Sequence, residues 1–229
     1  KRIHGDVTYS LYSNSHTVAR ILVTTSNGYV LGAGENGSGW LGNDNTTDIR
    51  DKLDVIYDPN DYSGDKCIKA RLNETAVANS SGTVALYILT EGGKIWTCGD
   101  NANGKLGIGS TTDSRVLVQS QDGSGASTGW VDFETSTGAA TTTAIAVKTN
   151  GSWHALGDGA TEITGGGNSS TDRTVWTEIT ELPTKAYKKF IISGSTSKAN
   201  CLILYQDGDL YGAGDNAGGI LGNGNTTSV

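Results

Sequence analysis

Gly99-Asp100-Asn101-Ala102-Asn103-Gly104-Lys105-Leu106-Gly107 decides the fold, because the chain writes it more than once. Gly214-Asp215-Asn216-Ala217-Gly218-Gly219-Ile220-Leu221-Gly222 repeats it, and Gly34-Glu35-Asn36-Gly37-Ser38-Gly39-Trp40-Leu41-Gly42 follows closely. A fourth copy, opening at Gly157, keeps the glycine spacing through Gly165 but has lost the asparagine and the leucine. Six residues upstream of each opening glycine stands a lead glycine: Gly28, Gly93, Gly151 and Gly208, which are 65, 58 and 57 residues apart. Self-similarity at such a period is the mark of a repeat architecture.

The lead glycines close Asn-Gly, Gly-Gly, Asn-Gly and Asp-Gly pairs, which supply the positive φ of a tight hairpin. Before each lies a short apolar run: Arg20 to Val23, Ala85 to Leu89, Ala144 to Val147 and Leu202 to Tyr205. A returning strand follows, one column of which reads Leu31, Trp96, His154 and Tyr211, residues suited to a packed position. Outer strands are expected at Lys52 to Tyr57, Arg115 to Gln119 and Arg173 to Ile179. Inner ones are expected at Lys66 to Ala70, Trp130 to Glu134 and Lys188 to Ser193. No helical period occurs, so the chain reads as all-β, with blades of about four antiparallel strands.

The Gly-Asp-Asn-x-x-Gly-x-Leu-Gly turn after an aromatic-bearing strand resembles the regulator of chromosome condensation repeat, over essentially the whole chain. The resemblance implies a β-propeller of a kind that closes with seven blades, of which four repeats stand here. Residues 1–229 are therefore expected to be a partial β-propeller, with repeat turns at 28–47, 93–112, 151–170 and 208–227. The absence of methionine also suggests a segment of a longer chain. Val7 to Tyr12 could pair with the fourth sheet or supply the inner strand of the first; the second role is expected, because every other copy needs such a strand.

Composition narrows the function. Twenty-four acidic residues against seventeen basic ones give a net charge of −7. Nucleic-acid binders carry a basic footprint, and no Lys/Arg cluster here is denser than Lys185, Lys188 and Lys189. No apolar run approaches the ~20 residues of a membrane-spanning helix, so neither nucleic acid nor membrane insertion is expected. Cys67, Cys98 and Cys201 are too few for a disulfide framework and read as buried free thiols.

Motifs that look chemical read better as turns. Gly32-x-Gly34-x-x-Gly37 matches a dinucleotide fingerprint, but Ser38-Gly39-Trp40-Leu41-Gly42 cannot continue it as a helix. Gly99-x-x-x-x-Gly104-Lys105 lacks the Ser/Thr of a phosphate loop, and Asp100-Asn101-Ala102 has alanine at a calcium loop's third position. His4, His16 and His154 form no metal or catalytic pattern, and Asn-x-Ser/Thr triplets such as Asn36 and Asn73 arise freely in such turns. No catalytic residue, metal or cofactor is expected.

Two aromatics are candidates for binding. Trp40 stands where the other copies have Lys105, Ile163 and Ile220, and Trp130 follows the Ser/Gly-rich loop Gln121 to Gly129. As exposed rings beside loops they would make a contact face; packing between blades is the competing reading. The composition points to a non-enzymatic binding or structural module, expected in a virion (a phage tail fibre or receptor-binding component) or on a cell surface. Its expected partners are a protein or cell-surface receptor and other subunits of a larger assembly. The family resemblance implies instead guanine-nucleotide exchange on a small GTPase with chromatin binding, and likeness to a propeller-shaped β-lactamase inhibitor implies inhibition of a secreted enzyme.

Overall fold

The computed structural model describes residues 7–15, 18–74, 83–136, 143–159, 171–194, 199–216 and 218–226. Four sheets follow one another along the chain. The first is β1 (Val7–Ser15), β2 (Val18–Thr25), β3 (Val30–Gly34) and β4 (Ile49–Tyr57). The second is β5 (Cys67–Glu74), β6 (Val84–Thr90), β7 (Ile95–Gly99) and β8 (Ser114–Gln119). A small hairpin, β9 (Gln121–Asp122) and β10 (Gly125–Ala126), precedes the third, β11 (Trp130–Thr135), β12 (Thr143–Lys148), β13 (Trp153–Gly157) and β14 (Arg173–Glu178). The fourth holds β15 (Tyr187–Gly194), β16 (Ala199–Tyr205) and β17 (Leu210–Gly214). Every pairing within these meanders is antiparallel, and Pro59–Tyr62 and Ala102–Gly104 form short 3-10 turns. Val7 to Tyr12 pairs with β2 from Val7↔Thr25 to Tyr12↔Arg20, so it is the inner strand of the first sheet.

Three hydrophobic clusters sit between successive sheets. Leu22, Val30, Trp40 and Tyr57 of the first sheet meet Ala70, Leu72, Leu86 and Ile88 of the second. Tyr87, Leu89, Ile95 and Leu106 meet Trp130, Phe133, Ala146 and Trp176. Ile145, Val147, Trp153 and Ala155 meet Phe190, Cys201, Ile203 and Tyr205. Alternate residues of a strand point to opposite faces. A strand with a blade on each side must therefore be apolar throughout: β6, Val84–Thr90, is buried at every position. In β16, buried residues alternate with partly exposed ones.

The repeat's glycines are fixed by backbone clearance. Gly99 has φ +109°, and a Cβ there would lie 2.2 Å from the Val84 carbonyl oxygen of the neighbouring strand. Gly34 and Gly214 repeat this, at 2.1 Å from the carbonyls of Ala19 and Ala199. The asparagine two positions on holds the turn from inside. Asn101 is fully buried; its Nδ2 donates to the carbonyls of Ser110 and Thr112, both at 2.9 Å, and its Oδ1 accepts from Leu106 N–H at 2.8 Å. Asn36 and Asn216 do the same in their turns.

Candidate functional site

The four turns between the second and third strands of each sheet lie at equivalent places in the fold. In the first two, a threonine at the end of the strand closes the turn: Thr25 Oγ1 accepts from Tyr29 N–H and Thr90 Oγ1 from Lys94 N–H. In the third, Asn150 Oδ1 takes over, accepting from Ser152 N–H at 3.0 Å. Lys148, standing where the threonines stood, is thereby free to leave the turn. Its Nζ reaches Asp122 Oδ2 at 2.6 Å and lies 4.6 Å from the centroid of the Trp130 ring.

Asp122 is there because the linker between the second and third sheets folds up as the β9–β10 hairpin. That hairpin joins the third sheet through a parallel bridge, Asp122 opposite Trp176 of β14. A cavity of about 400 Å³ opens beside it, lined by Asp122, Ser124, Lys148, Ser152, His154, Trp176 and Glu178 among others. Burial works against ionisation of Asp122, but hydrogen bonds from Lys148 and Ser124 outweigh it and bring its carboxyl down to about 2. His154 is buried with its ring edge-on to Trp130, at 5.0 Å and 84°. Desolvation first, then the charge of Lys148, holds its imidazole below the usual histidine value, against the opposing pull of Glu178. Glu178, paired opposite His154 in the ladder, is exposed.

The two aromatic candidates are both corrected. Trp40 is fully buried between the first and second sheets, its Nε1 donating to the Glu35 carbonyl at 2.5 Å. Trp130 is 2% exposed, because the Gln121–Gly129 segment folds over the ring and Ser127 Oγ accepts from its Nε1 at 2.9 Å. Large rings fill the gap between blades here. The packed column departs in the opposite direction at Tyr211, which is 39% exposed. His4 and His16 lie outside the described residues, as does much of the third repeat turn, 160–170.

The phosphate-loop and calcium look-alikes are filled by the protein's own groups. Lys105 is fully buried and paired with Asp100, while Asn101 faces backbone carbonyls. Asn36 and Asn73 are likewise buried, which removes them as surface acceptors for sugar. Among the described residues no group of His, Cys, Asp and Glu could hold a metal ion, and no helix is long and apolar enough to cross a membrane. A set of residues that motif reading passed over is the aspartate that ends the first three turns. Asp48, Asp113 and Asp172 accept the backbone N–H of Asn36, Asn101 and Gly159. Their recurrence behind the third glycine was the available signal.

No protein-family model matches the chain. It is 28% identical over 155 residues to E3 ubiquitin-protein ligase HERC2 of Homo sapiens, and equally to that of Mus musculus. The match takes in 67% of this chain and 3% of those relatives. Its fold superposes on human WBSCR16 with a TM-score of 0.66 at 15% identity, covering 91% of this chain and 47% of that one. Prp20p of Saccharomyces cerevisiae, described by its binding to Gsp1p and histones, gives 0.57 at 16% identity, over 80% of this chain and 41% of that one. Yeast RCC1 (Prp20) bound by Kap60 gives 0.61 at 12% identity, over 92% of this chain and 45% of that one. Fold and repeats together define a β-propeller architecture. Its repeats are similar to those of the regulator of chromosome condensation family.

These matches overturn the virion and cell-surface reading. The proteins matched are named for ubiquitin ligation and for binding Gsp1p, histones and Kap60. The tail-fibre role, the receptor partner and the virion or extracellular location give way with it. The sequence misled because acidic, threonine-rich turns are a property of these hairpins in any setting.

Proposed function

We propose that this chain is a docking segment of a longer propeller, one that binds a basic folded protein of the histone class rather than turning over a substrate. The observation that carries it is the likeness, in repeat and in fold, to Prp20p, described by its binding to histones and Gsp1p. The charge supports the same reading. A net −7 that repels DNA attracts a basic protein, which supplies the positive charge itself. The partial-propeller reading of residues 1–229 belongs to the proposal and is supported by the greater length of the relatives and solved structures named above.

The test is retention of histone H3–H4 on the immobilised chain across a salt series. Binding that weakens steeply as the Debye length shrinks from roughly 14 Å to roughly 6 Å supports the reading. Equal retention of an acidic control protein refutes it. The family's second activity, guanine-nucleotide exchange, is favoured by the Gsp1p named with Prp20p. It is measured by release of labelled GDP from Gsp1p, and a rate unchanged by the chain counts against it.

A further inference from the structure

We infer that this chain associates with itself head to tail: the open face of its fourth sheet seats the open face of the first sheet of a second copy. The inference goes beyond the docking reading and does not rest on it.

Within the chain the same contact is made three times. Each sheet turns one face forward, onto the sheet that follows, and one face backward. Two residues after the lead glycine, on the forward face, Val30, Ile95 and Trp153 are fully buried against the next sheet, whereas Leu210 is 65% exposed. Six residues before it, Leu22, Tyr87 and Ile145 are buried in the same clusters, whereas Leu202 is half-buried. Ile220, at the place of the buried Trp40 and Lys105, is exposed as well.

The first sheet is open on the opposite side. Seven residues before the lead glycine, on the backward face, Leu86, Ala144 and Cys201 are buried against the sheet before them, whereas Ile21 is 36% exposed. Leu53, two places before the ladder partner of Leu31, is exposed. Leu117, two places before the ladder partner of Trp96, packs instead into the cluster between the first two sheets. Ala19, Ile21, Ala33 and Ile49 wall an open groove of about 260 Å³ on this side. Apolar surface gathered in this way marks an interaction face.

Backbone groups and clearances agree. Asp44 N–H donates to the Arg115 carbonyl and Gly109 N–H to the Thr174 carbonyl, each reaching 2.9 Å to the outer strand of the next sheet. Gly224 stands at this place in the fourth repeat and makes no such bond among the described residues. The carbonyl that matches those of Arg115 and Thr174 in the first sheet is that of Arg50, a residue lining the groove. A Cβ on Gly28, Gly93 or Gly151 would meet the segment leading into the next sheet within 3.3 Å; on Gly208 it would meet nothing within 4 Å among the described residues. A second copy brings the backward face and the Arg50 carbonyl to this space as one piece, in the register the chain already uses. The contact is heterologous, so copies add end to end or close into a ring.

The experiment is sedimentation velocity of the whole chain from ~1 to ~100 μM, the range in which micromolar contacts show. The wild type should pass from monomer to larger species as concentration rises. Leu210→Lys on the forward face and Leu53→Lys on the backward face replace exposed side chains, so each should keep the wild-type melting midpoint while weakening association at least about tenfold. Ile68→Lys, exposed on β5, should leave association unchanged. Mixed in equal amounts, L210K and L53K retain one intact face each and should form a dimer and nothing larger. A wild type that stays monomeric throughout assigns both faces to further sheets of the same polypeptide and overturns the inference. Association that neither variant weakens, or a mixture that stays monomeric, overturns it too.

Discussion

Replacing Asn101 by alanine would open the second repeat turn from within. The side chain makes three hydrogen bonds, two to the carbonyls of Ser110 and Thr112 and one from Leu106 N–H, all between 2.8 and 2.9 Å and at a fully buried position. At about 1 kcal/mol net for each such bond, their loss comes to roughly 3 kcal/mol. Burial keeps water from replacing them. For a chain of this length about 1 kcal/mol moves the melting midpoint by roughly 2–4 °C, so N101A should melt roughly 6–12 °C below wild type. Differential scanning calorimetry with matched tryptophan fluorescence measures it. Asn101→Asp is the sharper companion, because it keeps the acceptor for Leu106 but turns a carboxylate oxygen toward two carbonyls; at neutral pH it should be worse than alanine. An N101A midpoint within about 2 °C of wild type would refute the idea that the asparagine holds the turn. The molecule offers its own contrast: the third copy has Gly159 at this place, keeping only the backbone bond to Asp172.

Gly99→Val should unfold the chain or abolish soluble expression, since its Cβ would sit 2.2 Å from the Val84 carbonyl at φ +109°; a folded variant of unchanged melting point counts against the alignment. Burial pushes the Cys67 and Cys201 thiols up to about 12 and the Cys98 thiol higher than its usual value as well. All three should therefore resist iodoacetamide at pH 8 in the native state and react in urea, as mass spectrometry would show; native labelling of any one contradicts its burial. Because the folded His154 holds its proton less tightly than the unfolded chain does, stability should fall as pH drops below roughly 6.5. His154→Phe should flatten that slope in urea titrations. Asp122, brought down to about 2 by Lys148 and Ser124, adds stability that is lost only as pH falls from roughly 4 toward 2.

The all-β class, the four repeats and the strand positions were legible in the chain because they are local matters. A glycine that must clear a neighbouring carbonyl and an asparagine that must reach two others recur at fixed spacing, and no distant contact can relax that demand. The inner role of Val7 to Tyr12 followed from the same period. What the chain could not say is which face of each strand meets another blade. Trp40 and Trp130 have the composition of a contact face, yet both fill gaps between sheets; whether a ring is covered depends on residues dozens of positions away. The cavity was hidden for the same reason. Lys148 differs from Thr25 and Thr90 by one letter in the repeat, but its partner Asp122 comes from a linker folded back onto β14, and only the packed sheets bring Asp122, His154, Trp176 and Glu178 around one space.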